Sequence, residues 1–235
     1  MKFSNKKMHA AVTAVGLVMF FGSFAAIRSN AQNPIAELLN RMDAHYKNLS
    51  SMQSNVTMVK TNAQLGKSET TEGTTSYLPK TAKHVMYVRI DWTKPVEESI
   101  LVIGDDYKLY RPALSQVITG KASSKNVKGA GNALEFLSMS KEQLKANYAV
   151  RYVGPEQITG SLETWHLEMT PRSATSYKKA DLWVDKDGVP RQAKITESTD
   201  DTTTILLSGI KENLNINTKV VFTLTYPKGT KEIKG

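Results

Sequence analysis

Three histidines lie beyond the first 31 residues of the chain: His45, His84 and His166. To act as metal ligands or as acid–base groups they would have to converge with acidic partners. Their separation supplies no metal-ligand spacing. Asp185, Asp187, Asp200 and Asp201 lack the spacing of a calcium loop and read as turn residues. The sequence has no cysteine. Disulfides, thiolate catalysis, Cys-based metal sites and lipid attachment at an N-terminal cysteine are therefore excluded. No Gly-x-Ser-x-Gly elbow, Walker loop or Gly-x-Gly-x-x-Gly occurs, and Gly129-Ala130-Gly131 reads as loop. The residues thus predict no enzyme, no catalytic side chain, no metal and no cofactor.

What remains is apolar chemistry. Beyond the first 31 residues the methionines are Met42, Met52, Met58, Met86, Met139 and Met169. Methionine adapts to varied shapes, which suits either a cavity lining or the gaps of an ordinary core. Met86, Val88, Ile90 and Trp92 fall on one face of an alternating strand, with Tyr87, Arg89 and Asp91 on the other. Trp165, Leu167 and Met169 likewise oppose Thr164, His166 and Glu168, and Ala180, Leu182 and Val184 form a third such face. Asp187-Gly188 marks a hairpin between 180–185 and 190–197. Segments 202–210 and 219–226 continue the alternation. The spacing predicts a mainly β chain with ten or eleven strands in one curved antiparallel sheet.

Few helices are available to cover that sheet. Asn33 as cap and Pro34 in the first turn open a helix in which Ile35, Leu38, Leu39, Met42, Tyr46 and Leu49 recur at helical spacing. Glu37, Asn40, Arg41, Lys47 and Asn48 form its polar face. The stretch 120–147 breaks the strand pattern. A Lys/Ser/Gly loop (121–131) precedes two capping boxes, Asn132 to Glu135 and Ser140 to Gln143. These predict two short helices carrying Leu134, Phe136, Leu137, Met139 and Leu144, each too short to persist alone in water. One long and two short helices are thin cover for so much sheet. Either the sheet curls onto itself or the helices lid a cavity.

The formal net charge is +9 over 235 residues. Lys2, Lys6 and Lys7 precede an apolar run from Ala10 to Ile27, and Ser29-Asn30-Ala31 offers a small-residue cleavage site. Residues 1–31 therefore read as a cleavable signal peptide and 32–235 as a single domain; an uncleaved anchor is the other reading of the same run. The mature part keeps 27 basic against 22 acidic residues, a spread charge of +5. That balance fits an anionic lipid surface, an acidic partner or plain solvation, and an exported chain does not meet nucleic acid.

The central segment resembles the outer-membrane lipoprotein carrier (LolA) family. Val88-Arg89-Ile90-Asp91-Trp92-Thr93-Lys94-Pro95 matches its Arg-Trp strand ending in Lys-Pro, and Tyr110-x-Pro112-x-Leu114-x-Gln116-Val117 follows an apolar strand and a turn, as in the family. Leu167 to Pro171 and Phe222 to Gly229 resemble its later motifs in the same order. The resemblance implies an incomplete half-barrel with an apolar interior and helices across its mouth. It implies a monomeric periplasmic chaperone that carries lipoprotein acyl chains towards the outer membrane. Its partners would be an inner-membrane lipoprotein-releasing ABC transporter and an outer-membrane receptor. On this reading Met86, Val88, Ile90, Trp92, Leu101, Trp165, Leu167 and Met169 line the lipid cavity. Ile35, Leu38, Leu39, Met42, Leu134, Phe136 and Leu137 form the lid. Two departures stand out. Leu78-Pro79 replaces the family's Arg-Pro, whose arginine latches the lid in familiar members, so Arg89 becomes the candidate latch; and the family's Asp-Gly turn is Gly104-Asp105 here. The same fold also suits a carrier or sensor of another amphiphile, such as a glycolipid, or a structural envelope β-protein with a filled core.

Overall fold

Proline starts the first element because its missing N–H costs nothing in a first helical turn. Helix α1 (Pro34–Asn48) has Glu37 in its first turn and Lys47 in its last, the arrangement the helix dipole favours. Asp43 accepts a 2.7 Å bond from Lys47 one turn on. The helix turns Leu38, Leu39 and Met42 inwards, the first two with no exposed surface. Burying each stabilises the fold by about 1.5–3 kcal/mol before ordering costs. The computed structural model describes residues 34–121 and 139–235, and the unit from Gln32 to Gly235 is compact.

After α1 the chain alternates between inward and outward side chains in β1 (Met52–Asn62), β2 (Lys67–Leu78), β3 (Tyr87–Lys94), β4 (Glu98–Ile103), β5 (Asp106–Arg111) and β6 (Gln116–Lys121). A single 3₁₀ turn at Pro112–Leu114 links the last two. Helix α2 (Lys141–Asn147) then leads into β7 (Tyr148–Ile158), β8 (Leu162–Pro171), β9 (Tyr177–Val184), β10 (Pro190–Glu197) and β11 (Thr202–Glu212). A short helix α3 (Thr218–Val221) and β12 (Lys231–Lys234) finish the chain.

The described strands form one open sheet in the order β12-β6-β5-β4-β3-β2-β1-β11-β10-β9-β8-β7. Its edges do not pair, so no barrel closes. Neighbours are antiparallel except β12, which lies parallel to β6. Strands β6 and β7 follow each other in sequence yet stand near opposite ends of the sheet.

Twelve strands form where ten or eleven are expected, the short edge strand β12 among them. The expected strand at 219–226 does not form. Residues 218–221 are helical instead, and Phe222, with Ile216, Val221 and Leu224, packs against Leu78, Leu101, Tyr87 and Ile103 on the outer face of the sheet. The segment reads as alternating because it lies across an apolar surface, not because it joins a ladder.

The capping box at Ser140 forms as the sequence predicts. The Gln143 backbone N–H donates to Ser140 Oγ, and Gln143 Oε1 accepts from the Ser140 N–H at 2.8 Å. Leu144 is fully buried, and Lys141 Nζ donates to Asn40 Oδ1 at 2.7 Å, joining α2 to α1. The other expected short helix, with Leu134, Phe136 and Leu137, lies outside the described residues.

Candidate functional site

The inner face of the sheet is set by register. Ser54 pairs with Thr75, Thr75 with Ile90, Ile90 with Ile100, Ile100 with Leu109, Leu109 with Ile118 and Ile118 with Ile233. One row of side chains therefore crosses seven strands, apolar from Ile90 onwards. On the other side of β1, Val56 faces Leu207 and Met58 faces Ile205, and the row continues through Ala193, Leu182 and Leu167.

Most of the predicted cavity residues meet on this face. Ile90, Trp92, Leu167 and Met169 are buried in one apolar cluster with Leu38, Leu39 and Met42, and Met86, Val88, Trp165 and Ile35 pack half-buried against it. Of the six methionines, Met42, Met52, Met58, Met139 and Met169 belong to the same cluster, and Met86 packs against it.

Burial is uneven across the face. Beneath α1, Leu167, Met169, Leu182 and Ile205 have no exposed surface. Towards the β12 edge, Val88, Ile100, Leu109, Ile118 and Ile233 remain half-buried. The face is thus packed at one side and partly open at the other.

Leu101 does not belong to it. Because Ile90 faces Ile100, Leu101 shares the opposite face with Arg89, where it packs with Leu78 and Phe222. The run Ile100 to Ile103 is apolar on both faces, so periodicity could not assign its parity.

Arg89, the candidate latch, is likewise an outer-face residue. Its guanidinium forks onto Asp91 at 2.8 and 3.1 Å. It also donates to the Val221 and Thr223 carbonyls at 2.8 and 3.2 Å. What it fastens is the C-terminal segment on the back of the sheet.

The residue that grips α1 is Arg41, placed by the sequence on the polar face of the helix. One guanidinium nitrogen donates to the Lys186 carbonyl at 3.0 Å, and the guanidinium carbon lies 4.5 Å from the centre of the Trp165 ring. Lys186 belongs to the β9–β10 hairpin, whose Gly188 has φ +84 and touches the helix backbone. A methyl there would lie 2.4 Å from the Arg41 carbonyl carbon. Asp185 holds the loop by accepting from the Asp187 and Val189 N–H groups at 2.9 Å and from Arg191 Nε at 2.6 Å. The Asp187-Gly188 turn signal identified the hairpin. No local signal linked it to the helix.

The histidines stay apart. His45 approaches Glu212 at 3.7 Å, and His84 sits in the loop before β3. His166 lies on the outer face, 2.8 Å from Asp181 and 2.9 Å from Glu156, stacked on Trp183 at 4.4 Å. Around it Lys179 and Arg151 hold Glu168 below the usual carboxylate range. Burial works against ionisation of Asp181, yet His166 and Lys179 together bring its carboxyl lower. This network is a set of paired charges over β7, β8 and β9. Among the described residues no three His, Asp or Glu side chains are grouped to hold a metal ion.

The described inner face offers apolar surface that can take apolar matter out of water. A family model for outer membrane lipoprotein carrier protein LolA matches residues 47–225. An uncharacterized conserved protein from Thermus thermophilus is similar in structure, with a TM-score of 0.54 and 13% identity over 86% of this chain and 99% of that one. MucB, also solved as a Pseudomonas aeruginosa MucA/MucB complex, gives a TM-score of 0.52 at 13% identity, over 83% of this chain and 64% of its own. A DUF1329 family protein from Desulfovibrio piger has 19% identity and a TM-score of 0.48 over 77% of this chain and 93% of that one. No curated protein matches the sequence. At these identities the likeness is one of fold.

Proposed function

The chain belongs to the outer membrane lipoprotein carrier protein LolA family, and from that premise we propose that it is an exported, non-enzymatic carrier of acyl chains. It receives lipoprotein from an inner-membrane transporter and delivers it towards the outer membrane through the periplasm, after loss of residues 1–31. The observation that supports this reading best is the gathering of the six methionines beyond residue 31 in or against the apolar cluster that α1 shares with an open sheet. Methionine adapts to varied shapes, which suits cargo chains of varied conformation.

The energetics fit carriage. An acyl methylene left in water costs roughly 0.8 kcal/mol, so a dozen cost on the order of 10 kcal/mol. The half-buried side, from Val88 to Ile233, gives such a chain a place to begin. The packed side beneath α1 exchanges its own contacts for those of the cargo, so the empty and loaded states need not differ by much. Arg41 and the β9–β10 hairpin keep α1 tied to one side of the sheet during that exchange.

The three tryptophans provide the test. Trp92 and Trp165 lie on the inner face and Trp183 on the outer face, stacked on His166. A lipopeptide with brominated acyl chains is expected to quench the first two and spare the third. Equal quenching in a Trp92→Phe/Trp165→Phe variant, which retains Trp183 alone, overturns the assignment. Absence of any binding overturns the carrier reading.

A further inference from the structure

Tyr107 pairs with Val102 on β4 and with Gly120 on β6, so it shares the inner face with Val88 and Val102. It is 3% exposed, and its phenol oxygen is buried with no hydrogen-bond partner among the described residues. The ring lies across β6 above Gly120. A methyl at that glycine would stand 2.7 Å from a ring carbon and 3.2 Å from the phenol oxygen. Any other residue at 120 would push the ring off the sheet, so this glycine sets where the hydroxyl sits. The adjacent inner-face row is apolar: Ile100, Leu109, Ile118 and Ile233.

A buried donor without a partner costs about 1–3 kcal/mol. Phenylalanine would fill the same volume without that cost. The hydroxyl gains its partner when an acceptor arrives with a ligand. An acyl chain carries one acceptor at the head of its hydrocarbon, the carbonyl oxygen of its ester or amide. We propose that Tyr107 is a cargo-binding residue whose O–H donates to that carbonyl while the hydrocarbon lies along the Ile100 to Ile233 row. The inference rests on the carrier reading and adds a chemical class to it. The site prefers carbonyl-bearing acyl chains to plain hydrocarbon or ether-linked chains of the same length.

The test compares dioctanoylglycerol with its dioctyl ether by calorimetry on the mature protein, as wild type and Tyr107→Phe. Wild type is expected to bind the ester about five-fold more tightly, the worth of one neutral hydrogen bond near 1 kcal/mol. Tyr107→Phe is expected to bind both lipids as wild type binds the ether. The carbonyl stretch of bound ¹³C-labelled ester should lie at lower frequency in wild type than in the same lipid dissolved in alkane, a reading that needs no variant. Equal affinity of wild type for the two lipids overturns the proposal, as does a loss in Tyr107→Phe that is the same for both. Failure of both lipids to bind overturns the carrier reading and this proposal with it.

Discussion

Replacing Gly188 with alanine tests the junction between the β9–β10 hairpin and α1. The added methyl would meet Arg41 C at 2.4 Å, Arg41 O at 2.5 Å and Met42 N at 2.8 Å. All three are backbone atoms and cannot rotate away. Restoring ordinary contact requires a separation of about 1 Å between hairpin and helix, and a gap of that size forfeits a quarter to a half of each dispersion well it opens. Overpacking of this kind costs roughly 1–3 kcal/mol. The left-handed conformation at φ +84 adds about 1–2 kcal/mol for a residue with a Cβ. The stiffer unfolded chain returns about 0.4–1 kcal/mol. The expected net loss is about 2–4 kcal/mol. Gly160→Ala serves as the control, since its φ is +78 and nothing lies within 4 Å of the new methyl. It should lose only the conformational part, about 1 kcal/mol. Urea unfolding at unchanged slope measures both, and hydrogen exchange along α1 should accelerate in Gly188→Ala alone. Equal losses in the two variants would show that the hairpin does not bear on the helix.

Arg41→Lys keeps the charge but gives up the guanidinium's place over the Trp165 ring and the directed bond to the Lys186 carbonyl. A loss of about 1–2 kcal/mol is expected, with a change in Trp165 emission; unaltered stability and emission would dismiss the clamp. Arg89→Ala leaves the Val221 and Thr223 carbonyls without their donor, so exchange should quicken across 216–224 and stay unchanged in α1. Exchange that quickens in α1 instead would make Arg89 a latch. The carboxyls of Glu168 and Asp181 titrate low in the fold. Their contribution is therefore present above the ordinary carboxylate range and is lost as pH falls through their depressed folded values. Urea midpoints should drop on acidification below about pH 4, and less steeply in Glu168→Gln; an identical slope in that variant would remove Glu168 from the account.

The main helix, the alternation from Met86 to Trp92 and from Trp165 to Met169, the Asp187-Gly188 hairpin and the Ser140 capping box were legible because each signal is local. Helical and strand periods need only a run of neighbours, and turn and cap residues act within four positions. These suffice for a mainly β chain with one apolar face and few helices to cover it. Parity failed in one place for a physical reason. Strands β3 and β4 carry the α1 cluster on one face and the C-terminal segment on the other. The run Ile100 to Ile103 is therefore apolar throughout, and a shift of one residue exchanges its faces. Ile100, not Leu101, looks inwards, and only pairing with Ile90 decides it.

The roles of the two arginines were decided in the same way, by contacts distant in sequence. Arg41 reaches Lys186 across 145 residues and Arg89 reaches Val221 across 132. A polar residue on a helix or strand face carries no mark of which distant carbonyl it will meet. The unpaired hydroxyl of Tyr107 is likewise a property of the assembled sheet. A tyrosine beside a turn reads as ordinary until β6 lays Gly120 beneath its ring. The sequence by itself determined that this protein has an apolar face built for adaptable packing. The tertiary structure alone decided which residues lie on that face, what ties the helix over it and where a polar group waits within it, because each depends on register and on meetings between segments far apart in the chain.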